Sequence, residues 1–294
     1  MELTAQTEGR VRQALREHDP LSVARYMATL QLGGPEPPGT EKINALARSM
    51  GWIEPAGQRL TSEGWAAADS FREYMFWRER DRELPFAKAA PDIVSQLLSG
   101  RSVLEIGSGS GINLMSLARL GTAAIGIEPI EAYRQMGAIF AEVEGLESIR
   151  AVAGAAERIP FESDKFDTVL CVSSHQYFDI QPALQEIYRV LRPGGEVLLI
   201  SGSWSRFLFG QAHSLMGGAG SAKGYVITIV NTAAYMLLGR RLIFRRKKVS
   251  TSYPVYPSRR AMRSLLQKAG FDLAVPPQPL DGEVFFRARK PVRS

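Results

Sequence analysis

Three glycines at alternate positions, directly after a short run that is apolar except for Glu105, constrain the fold of this chain most. The run is Val103–Ile106, the glycines are residues 107, 109 and 111, and an apolar helical pattern follows from Ile112. Glycine permits positive φ and a close approach of the backbone, and a helix N-terminus offers free N–H groups to a polar ligand. Strand, glycine turn and helix in this order are typical of the first βα turn of a doubly wound sheet, where nucleotides bind.

The spacing of the glycines argues against a dinucleotide as the ligand. A dinucleotide fingerprint requires GxGxxG, and Ile112 occupies the position of its third glycine. The next predicted strand ends at Glu128, which is placed to accept hydrogen bonds from a ribose diol, and its charge strengthens such bonds. An isolated Glu at a strand end is more often a solvated side chain, but the position of Glu128 behind the glycine turn favours the ribose role.

From Pro91 onward, predicted strands and helices alternate, which is the pattern of an α/β protein. The predicted strands are Ser102–Ile106, Ala123–Glu128, Ile149–Ala153, Phe166–Val172, Gly195–Ser201, Phe271–Val275 and Val284–Arg289. We therefore predict a doubly wound, Rossmann-like parallel sheet of seven strands with helices on both faces. Residues 202–257 interrupt the alternation and are too many for an unstructured loop, so we expect an insertion with its own helices.

Residues 1–84 have a mostly helical pattern. The predicted helices are Gly9–His18, Pro20–Leu32, Glu41–Met50 and Glu63–Arg82. Pro85 is expected to end the last helix, Thr61 or Ser62 to cap its start, and a hairpin is expected around Pro55–Gln58. This order of helices and hairpin resembles a winged helix. We predict two domains, a winged-helix-like one at 1–84 and a nucleotide-binding one at 85–294.

Four ordered motifs together resemble one enzyme family. After the glycine turn and Glu128, the chain has Glu157-Arg158-Ile159-Pro160-Phe161, then Phe166-Asp167-Thr168-Val169, and then Arg189-Val190-Leu191-Arg192-Pro193-Gly194-Gly195. These motifs resemble those of the class I S-adenosyl-L-methionine (SAM) dependent methyltransferases, in particular the branch that acts on small molecules such as quinones and sterols. The resemblance covers about residues 91–292, with the insertion as an interruption. It implies a Rossmann-like methyltransferase domain with SAM as the cofactor.

The resemblance also implies which residues bind the cofactor. Glu105 would lie near the methionine ammonium group, and Glu128 would accept the ribose hydroxyls. The full set is Glu105, Gly107, Ser108, Gly109, Gly111, Glu128, Pro129, Ile130, Ala156, Glu157 and Ser173. Many relatives have Asp at the position of Ala155, where it meets the adenine amino group, so here that contact falls to a backbone carbonyl, to Glu157 or to water.

The helix predicted at Glu63–Arg82 is rich in aromatic residues and arginine. Comparable enzymes often place an N-terminal helix over the cofactor, and Tyr74 and Arg78 are the candidates for cofactor contact on this one. The alternative is a helix that its aromatic side chains hold against the sheet.

Of the three histidines, His175 has the position expected of a catalytic group. It follows the fourth predicted strand, at the sheet edge where ligands bind in such folds. The ordinary pKa of His suits proton transfer near neutrality, so His175 is our candidate general base for an acceptor that must lose a proton, with Tyr177 as a second catalytic candidate. The alternative is a structural His that packs against the cofactor or a helix. One cysteine and three separated histidines predict no soft-metal site.

The insertion contains an apolar helical pattern with one polar stripe, formed by Thr228, Asn231, Thr232 and Tyr235. A wide apolar face needs a partner. We expect residues 202–257 to form a lid over the acceptor pocket, with part of the apolar face of Tyr225–Leu238 turned inward. The basic run from Arg240 to Lys248 would suit RNA, an acidic membrane or an anionic substrate, or it is a strand with a solvated charged face.

These features favour methyl transfer to a small, lipophilic or amphipathic acceptor. An RNA methyltransferase is one alternative, but Ser173-Ser174-His175-Gln176 stands where base-amino methylation would require Asn/Asp-Pro-Pro-Tyr. A non-catalytic SAM-binding regulator with a DNA-binding winged helix is another.

Binding to nucleic acid is disfavoured, because the candidate recognition helix Glu41–Met50 offers only Lys42, Asn44 and Arg48 to a groove. Contact with a membrane surface and a homodimer both stay open. One cysteine and an N-terminus without an apolar signal region lead us to expect a cytoplasmic protein.

Overall fold

A computed structural model of the 294-residue chain describes residues 2–32, 39–55, 57, 59–146, 149–202, 204, 219–238, 240–243, 253–280 and 283–292. The chain forms two compact units. Unit 1 comprises Met1–Lys88 and Ser108–Ala153, and unit 2 comprises Ala89–Gly107 and Gly154–Ser294. The domain division at residues 84 and 85 stays a prediction.

The helices are α1 (Ala5–Glu17), α2 (Pro20–Leu32), α3 (Glu41–Ser49), α4 (Ser62–Glu79), α5 (Pro91–Ile93, continued by a π-helical turn at Val94–Leu98), α6 (Ile112–Arg119), α7 (Glu131–Val143), α8 (Ile180–Val190), α9 (Ala219–Leu238) and α10 (Arg259–Lys268). The strands are β1 (Ser102–Ile106), β2 (Ala123–Ile127), β3 (Ala151–Val152), β4 (Phe166–Val172), β5 (Leu191–Gly202), β6 (Asp272–Leu280) and β7 (Glu283–Arg289).

The strands form a seven-stranded sheet in the order β3-β2-β1-β4-β5-β7-β6, which confirms the predicted doubly wound class. The β1–β4, β4–β5 and β2–β3 pairs are parallel, with Val103 opposite Thr168 in the first of them. The prediction of an all-parallel sheet was wrong, because β7 runs antiparallel to both β5 and β6. Only two residues separate β6 from β7, and a connection that short permits a hairpin but no crossover.

In unit 1, the N-terminal helices share one apolar core with α6 and α7. The Phe140 ring of α7 stacks on Tyr74 at a centroid distance of 4.5 Å and meets the edge of Phe71 at 5.4 Å. The described residues of the expected hairpin form a single bridge, between Ile53 and Leu60. The N-terminal region is therefore mostly helical, as predicted, while the winged helix itself is not confirmed.

The end of α4 differs from the prediction. The helix starts as expected, with the Thr61 side chain accepting a hydrogen bond from the Gly64 N–H, but it ends at Glu79 and not near Pro85. Asp81 and Arg82 adopt left-handed backbone conformations, with φ of 56° and 65°. The Arg82 N–H closes the helix by a hydrogen bond to the Trp77 carbonyl, which is a Schellman-type ending.

In unit 2, the described part of the predicted insertion consists mainly of α9 and of residues 240–243 and 253–257. The basic residues 245–248 lie outside the described residues. None of the helices in the described ranges combines the length and the apolar character that a bilayer span requires.

Candidate functional site

In unit 1, Gly109 of the glycine turn is tied to the end of β2 by the Glu128 carboxylate. The Gly109 N–H donates to Glu128 Oε2 at 3.1 Å, and the Ile130 N–H donates to Glu128 Oε1 at 2.9 Å. Glu128 is only 6% exposed. Burial raises the pKa of Glu128, although the two backbone hydrogen bonds act in the opposite direction. Each oxygen of a carboxylate has two lone pairs, so both oxygens retain the capacity to accept ribose hydroxyls.

A buried hydroxyl lies beside this turn. Ser108 is buried, and its Oγ has no hydrogen-bond partner among the described residues. Gly111 is the N-cap of α6 with φ of 72°, so the free N–H groups of that helix start immediately behind the turn. Pro129 is exposed, and Ile130 is partly buried. An unsatisfied hydroxyl and a carboxylate with spare acceptor capacity suit a polar ligand such as a nucleoside.

The glycine turn also has an acidic neighbour that the sequence did not indicate, Glu73 of α4. Its carboxylate accepts hydrogen bonds from the Ser110 hydroxyl at 2.5 Å and from the Ser110 N–H at 3.2 Å. A Cβ atom on Gly109, which has φ of +54°, would come within 3.0 Å of Glu73 Oε2. Burial raises the pKa of Glu73. No pattern in the sequence relates a helix residue to a turn 37 positions away.

Tyr74 and Arg78, predicted to contact the cofactor, both bind Glu144 in unit 1. The Tyr74 hydroxyl and the Arg78 guanidinium reach Glu144 Oε1, and the Arg82 Nε donates to Glu144 Oε2 at 2.8 Å. Burial raises the pKa of Glu144, but the hydrogen bonds from Tyr74 and Arg82 and the two nearby arginine charges together hold this pKa below its usual range. The cluster fixes α4 to the end of α7. A role for Tyr74 and Arg78 at the cofactor stays a prediction.

In unit 2, the loop after β4 lies against the end of β1. The Ser174 hydroxyl donates to the Ile106 carbonyl at 2.6 Å. A Cβ atom on Gly107 would stand 2.5 Å from Ser174 Cβ, and Gly107 has φ of +66°, so this position requires glycine. Ser173, another predicted cofactor residue, adopts a left-handed conformation with φ of 52°. Glu105 is buried in β1.

His175 follows this loop and is 1% exposed. Neither ring nitrogen has a hydrogen-bond partner among the described residues. Burial lowers the pKa of His175 to about 4, so the imidazole is neutral at pH 7. The Tyr177 side chain is partly buried, and its N–H donates to the Ser174 carbonyl at 2.9 Å.

Ala156 and Glu157, two of the residues predicted to bind the cofactor, have different surroundings in unit 2. Ala156 is buried, while one Glu157 oxygen accepts the Asp179 N–H at 2.8 Å, at the start of α8. Ala155, which replaces the Asp of many relatives, forms a bridge with Arg158. The role of Ala156 and Glu157 at the adenine stays a prediction.

The insertion lies against the residues that follow His175. The Arg241 guanidinium donates to the carbonyls of Gln176 and Tyr177, both at 2.7 Å, and to that of Phe178 at 3.2 Å. The Tyr235 hydroxyl of α9 accepts the Ile180 N–H at 3.1 Å. Arg241 is buried, so the interpretation of the basic run as a ligand-binding or solvated strand was wrong for this residue. Carbonyl oxygens accept hydrogen bonds from both of its terminal nitrogens instead.

No three His, Cys, Asp or Glu side chains in the described ranges form a group suited to a metal ion.

Comparison with known proteins assigns the central part of the chain. The family described as "Methyltransferase domain" matches residues 104–199. The uncharacterized methyltransferase YcgJ of Bacillus subtilis is 32% identical over 99 residues, which are 33% of this chain and 39% of that protein. The phthiotriol/phenolphthiotriol dimycocerosates methyltransferase of Mycobacterium leprae is 34% identical over 103 residues, which are 34% of this chain and 37% of that protein. The chain thus spans about two fifths of the length of these relatives.

Two solved structures have a similar fold. A protein from Methanococcus maripaludis, named as a SAM-dependent methyltransferase, matches with a TM-score of 0.53 and 14% identity, over 82% of this chain and 99% of its own. A chain from the complex between the Haloferax volcanii Trm112 methyltransferase activator and a methyltransferase matches with a TM-score of 0.52 and 18% identity, over 78% and 97%. At these identities, the similarity establishes the fold alone. The fold and the domain match together show that the chain carries an enzyme domain of the methyltransferase type, whose cofactor is SAM.

Proposed function

We propose that this protein transfers a methyl group from SAM to a small, lipophilic or amphipathic acceptor. The observation that carries the proposal is the Glu128 carboxylate, buried at the end of β2 and hydrogen-bonded to the glycine turn within the matched methyltransferase segment. The residues present fit an adenosyl cofactor. The turn backbone leaves no room for a side chain at Gly107, and Ser108 offers an unsatisfied buried hydroxyl.

The tasks left to the protein depend on the chemistry that SAM supplies. SAM, when bound, supplies an activated methyl group, so the protein needs mainly to bind and align the reactants. Glu128 would hold the ribose hydroxyls with its spare lone pairs. The Gly109 and Ile130 N–H groups hold that carboxylate in place before any ligand arrives, so little rearrangement is required on binding.

His175 is proposed to orient the acceptor or to take its proton. The imidazole is neutral at pH 7, and both ring nitrogens are without partners in the described residues, so one nitrogen can accept a proton from a hydroxyl or an acidic carbon. A base with a pKa of about 4 is weak at neutral pH. We therefore assign His175 an assisting role and alignment the larger one, with Tyr177 as the second candidate in the same loop.

The class of acceptor is inferred from the insertion and from the names of relatives. Helix α9, whose apolar residues Ile227 and Ala234 are buried, contacts the segment that follows His175, where the Tyr235 hydroxyl accepts the Ile180 N–H. Two of the relatives are named as methyltransferases of phthiotriol and phenolphthiotriol dimycocerosates, which are lipids. Both observations support an acceptor with substantial apolar surface. That residues 202–257 act as a lid over it is part of the same proposal.

The test has two steps. Calorimetry with the full chain should show binding of SAM and of S-adenosylhomocysteine but not of NAD. Incubation with methyl-labelled SAM and a panel of hydroxylated lipids, quinones and hydrophilic phenols should then transfer label to the lipophilic members, as detected by mass spectrometry. Absence of SAM binding would overturn the methyltransferase assignment. Labelling of the hydrophilic phenols alone would overturn the acceptor class.

A further inference from the structure

One segment of the chain combines an extreme charge with exposed apolar residues. Between Glu196 and Asp272 the sequence contains twelve Lys or Arg and no acidic residue. We call residues 197–271 the acid-free segment. The rest of the chain has 24 basic and 30 acidic residues and thus a net charge of −6, although the whole protein carries +6. The positive charge of the protein is therefore concentrated in one quarter of its sequence, within unit 2.

Helix α9, in the acid-free segment, buries the polar residues Asn231 and Thr232 and leaves several large apolar residues exposed. Val226 is 53% exposed, Val230 is 38% exposed and Leu237 is 84% exposed. These residues are spaced at four and seven positions, so they lie on one side of the helix. We call Val226, Val230 and Leu237 the apolar stripe. A helix on the surface of a soluble domain normally has the reverse arrangement.

The buried polar residues explain why the helix has this orientation. The Asn231 amide donates to the Ile243 carbonyl at 2.8 Å and its oxygen accepts the Ile243 N–H at 2.9 Å. The Thr232 hydroxyl accepts the Tyr256 N–H at 3.2 Å. These bonds would be lost if the helix turned over to bury the stripe, which would strand several buried polar groups. The exposure of the apolar stripe is thus a consequence of specific hydrogen bonds.

Exposed basic side chains lie on α10, the helix whose first turn contacts the end of α9. The Ser258 N–H, at the N-cap of α10, donates to Met236 Sδ at 3.4 Å, which places the first turn of α10 beside the end of α9. Arg259, Arg260 and Arg263 of α10 line one surface pocket. A pocket lined by three guanidinium groups suits phosphate oxygens.

We propose that the apolar stripe of α9 and the arginines of α10 together bind the surface of an anionic lipid membrane. The stripe enters the boundary between headgroups and acyl chains, and Arg259, Arg260 and Arg263 bind lipid phosphates. Apolar burial and electrostatic attraction are the two contributions that hold peripheral helices at such surfaces. A second copy of the chain is a poorer partner for this face, because two acid-free segments would repel each other.

The proposal does not depend on catalysis, and its test measures membrane binding directly. The full chain is sedimented with vesicles of phosphatidylcholine alone and with vesicles that also contain phosphatidylglycerol, at low and at high salt. We expect about tenfold more protein on the anionic vesicles, and a loss of that difference at high salt. The triple variant Val226→Ser, Val230→Ser, Leu237→Ser should reduce binding to anionic vesicles about tenfold. The variant Arg259→Gln, Arg260→Gln, Arg263→Gln should reduce it to a similar extent.

Two controls make the result decisive. Leu120, 45% exposed in unit 1, is changed to Ser as a matched removal of an exposed apolar side chain, and this variant should bind like the unaltered protein. Thermal unfolding of every variant confirms that the fold is retained. The proposal is overturned if the unaltered chain ignores anionic vesicles, or if either triple variant binds as well as the unaltered chain. It is also overturned if the stripe variant only dissociates a dimer.

Discussion

The Glu73 carboxylate accepts both the hydroxyl and the backbone N–H of Ser110, at 2.5 and 3.2 Å. An acidic side chain from α4 therefore stands at the residue that precedes Gly111, the N-cap of α6. Negative charge is favourable at a helix N-terminus, where the peptide dipoles leave a partial positive charge. The N-terminal helices of unit 1 thus help to define the shape of the glycine turn.

Removal of this carboxylate should destabilise the protein. We expect Glu73→Ala to lower the free energy of unfolding by about 1.5–3 kcal/mol, because two buried donors on Ser110 lose their acceptor. Glu73→Gln keeps an acceptor oxygen and should lose less than half as much. Urea unfolding measures both. Glu79→Ala on the same helix is the control, since its 3.5 Å pair with Arg25 is solvent-exposed and should be worth less than about 1 kcal/mol. Equal stability of Glu73→Ala and Glu79→Ala would show that the turn does not depend on Glu73.

A second prediction concerns the cluster of Glu144 with Tyr74, Arg78 and Arg82. The Glu144 side chain is 6% exposed and pairs with Arg78 and Arg82, which are 23% and 31% exposed. Glu144→Gln should lower the free energy of unfolding by about 2–3 kcal/mol, because the guanidinium groups of Arg78 and Arg82 lose the nearly buried carboxylate with which they pair.

Calorimetry on Tyr74→Phe separately tests the predicted cofactor contact. Unchanged SAM affinity in this variant would mean that Tyr74 contributes only to the Glu144 cluster.

The elements of the fold were largely predictable because each is set by local sequence. Apolar runs and the positions of glycine predicted all seven strands, and β1 and β4 have the predicted bounds. The end of α4 was not predictable in the same way, because no glycine marks the left-handed residues Asp81 and Arg82. The antiparallel direction of β7 follows from its short connection to β6. The sequence does not show that these two strands are neighbours in the sheet, so this direction was not predicted.

The site was predictable where the motif is contiguous and unpredictable where contacts are distant in sequence. The position of Glu128 at the turn followed from its place after β2. Glu73 contacts the same turn from α4. Arg241 donates hydrogen bonds to carbonyls that lie 63 to 65 positions away in the sequence. The outward-facing stripe of α9 is also a long-range effect, since Asn231 and Thr232 point inward to bind residues beyond the helix. The sequence predicted that part of the apolar face of Tyr225–Leu238 turns inward. Ile227 is buried, whereas Val226 and Leu237 are exposed.

Glu128 provides the direct test of cofactor binding. Glu128→Ala should weaken SAM binding by about 1–3 kcal/mol, roughly 5- to 150-fold in Kd, because ribose hydroxyls and the Gly109 N–H lose their acceptor. Titration calorimetry measures the change. Glu131→Ala removes a neighbouring, more exposed carboxylate that pairs with Arg134 and should leave Kd within about twofold. If both variants bind SAM as the unaltered chain does, the ribose is held elsewhere.

His175 is tested through turnover once an acceptor is known. His175→Ala should lower kcat by about 10²-fold, at the low end of general-base effects, because its depressed pKa makes it a weak base. SAM affinity measured by calorimetry should change little. His18→Ala, a substitution of the same kind at the end of α1, should leave kcat unchanged. Near-normal turnover in His175→Ala would mean that the protein promotes methyl transfer only by aligning the reactants.

His175 should also make the stability of the protein sensitive to pH. In the unfolded chain this His has a pKa near 6.5, whereas burial lowers its pKa in the folded protein to about 4. Between these values the unfolded chain binds a proton that the folded protein does not, so a fall in pH favours unfolding. From pH 7 to pH 5, the protein should therefore lose about 2 kcal/mol more unfolding free energy than His175→Gln, which cannot titrate. Urea unfolding of both proteins at the two pH values measures this difference, and parallel pH profiles would mean that the folded His175 is open to protonation.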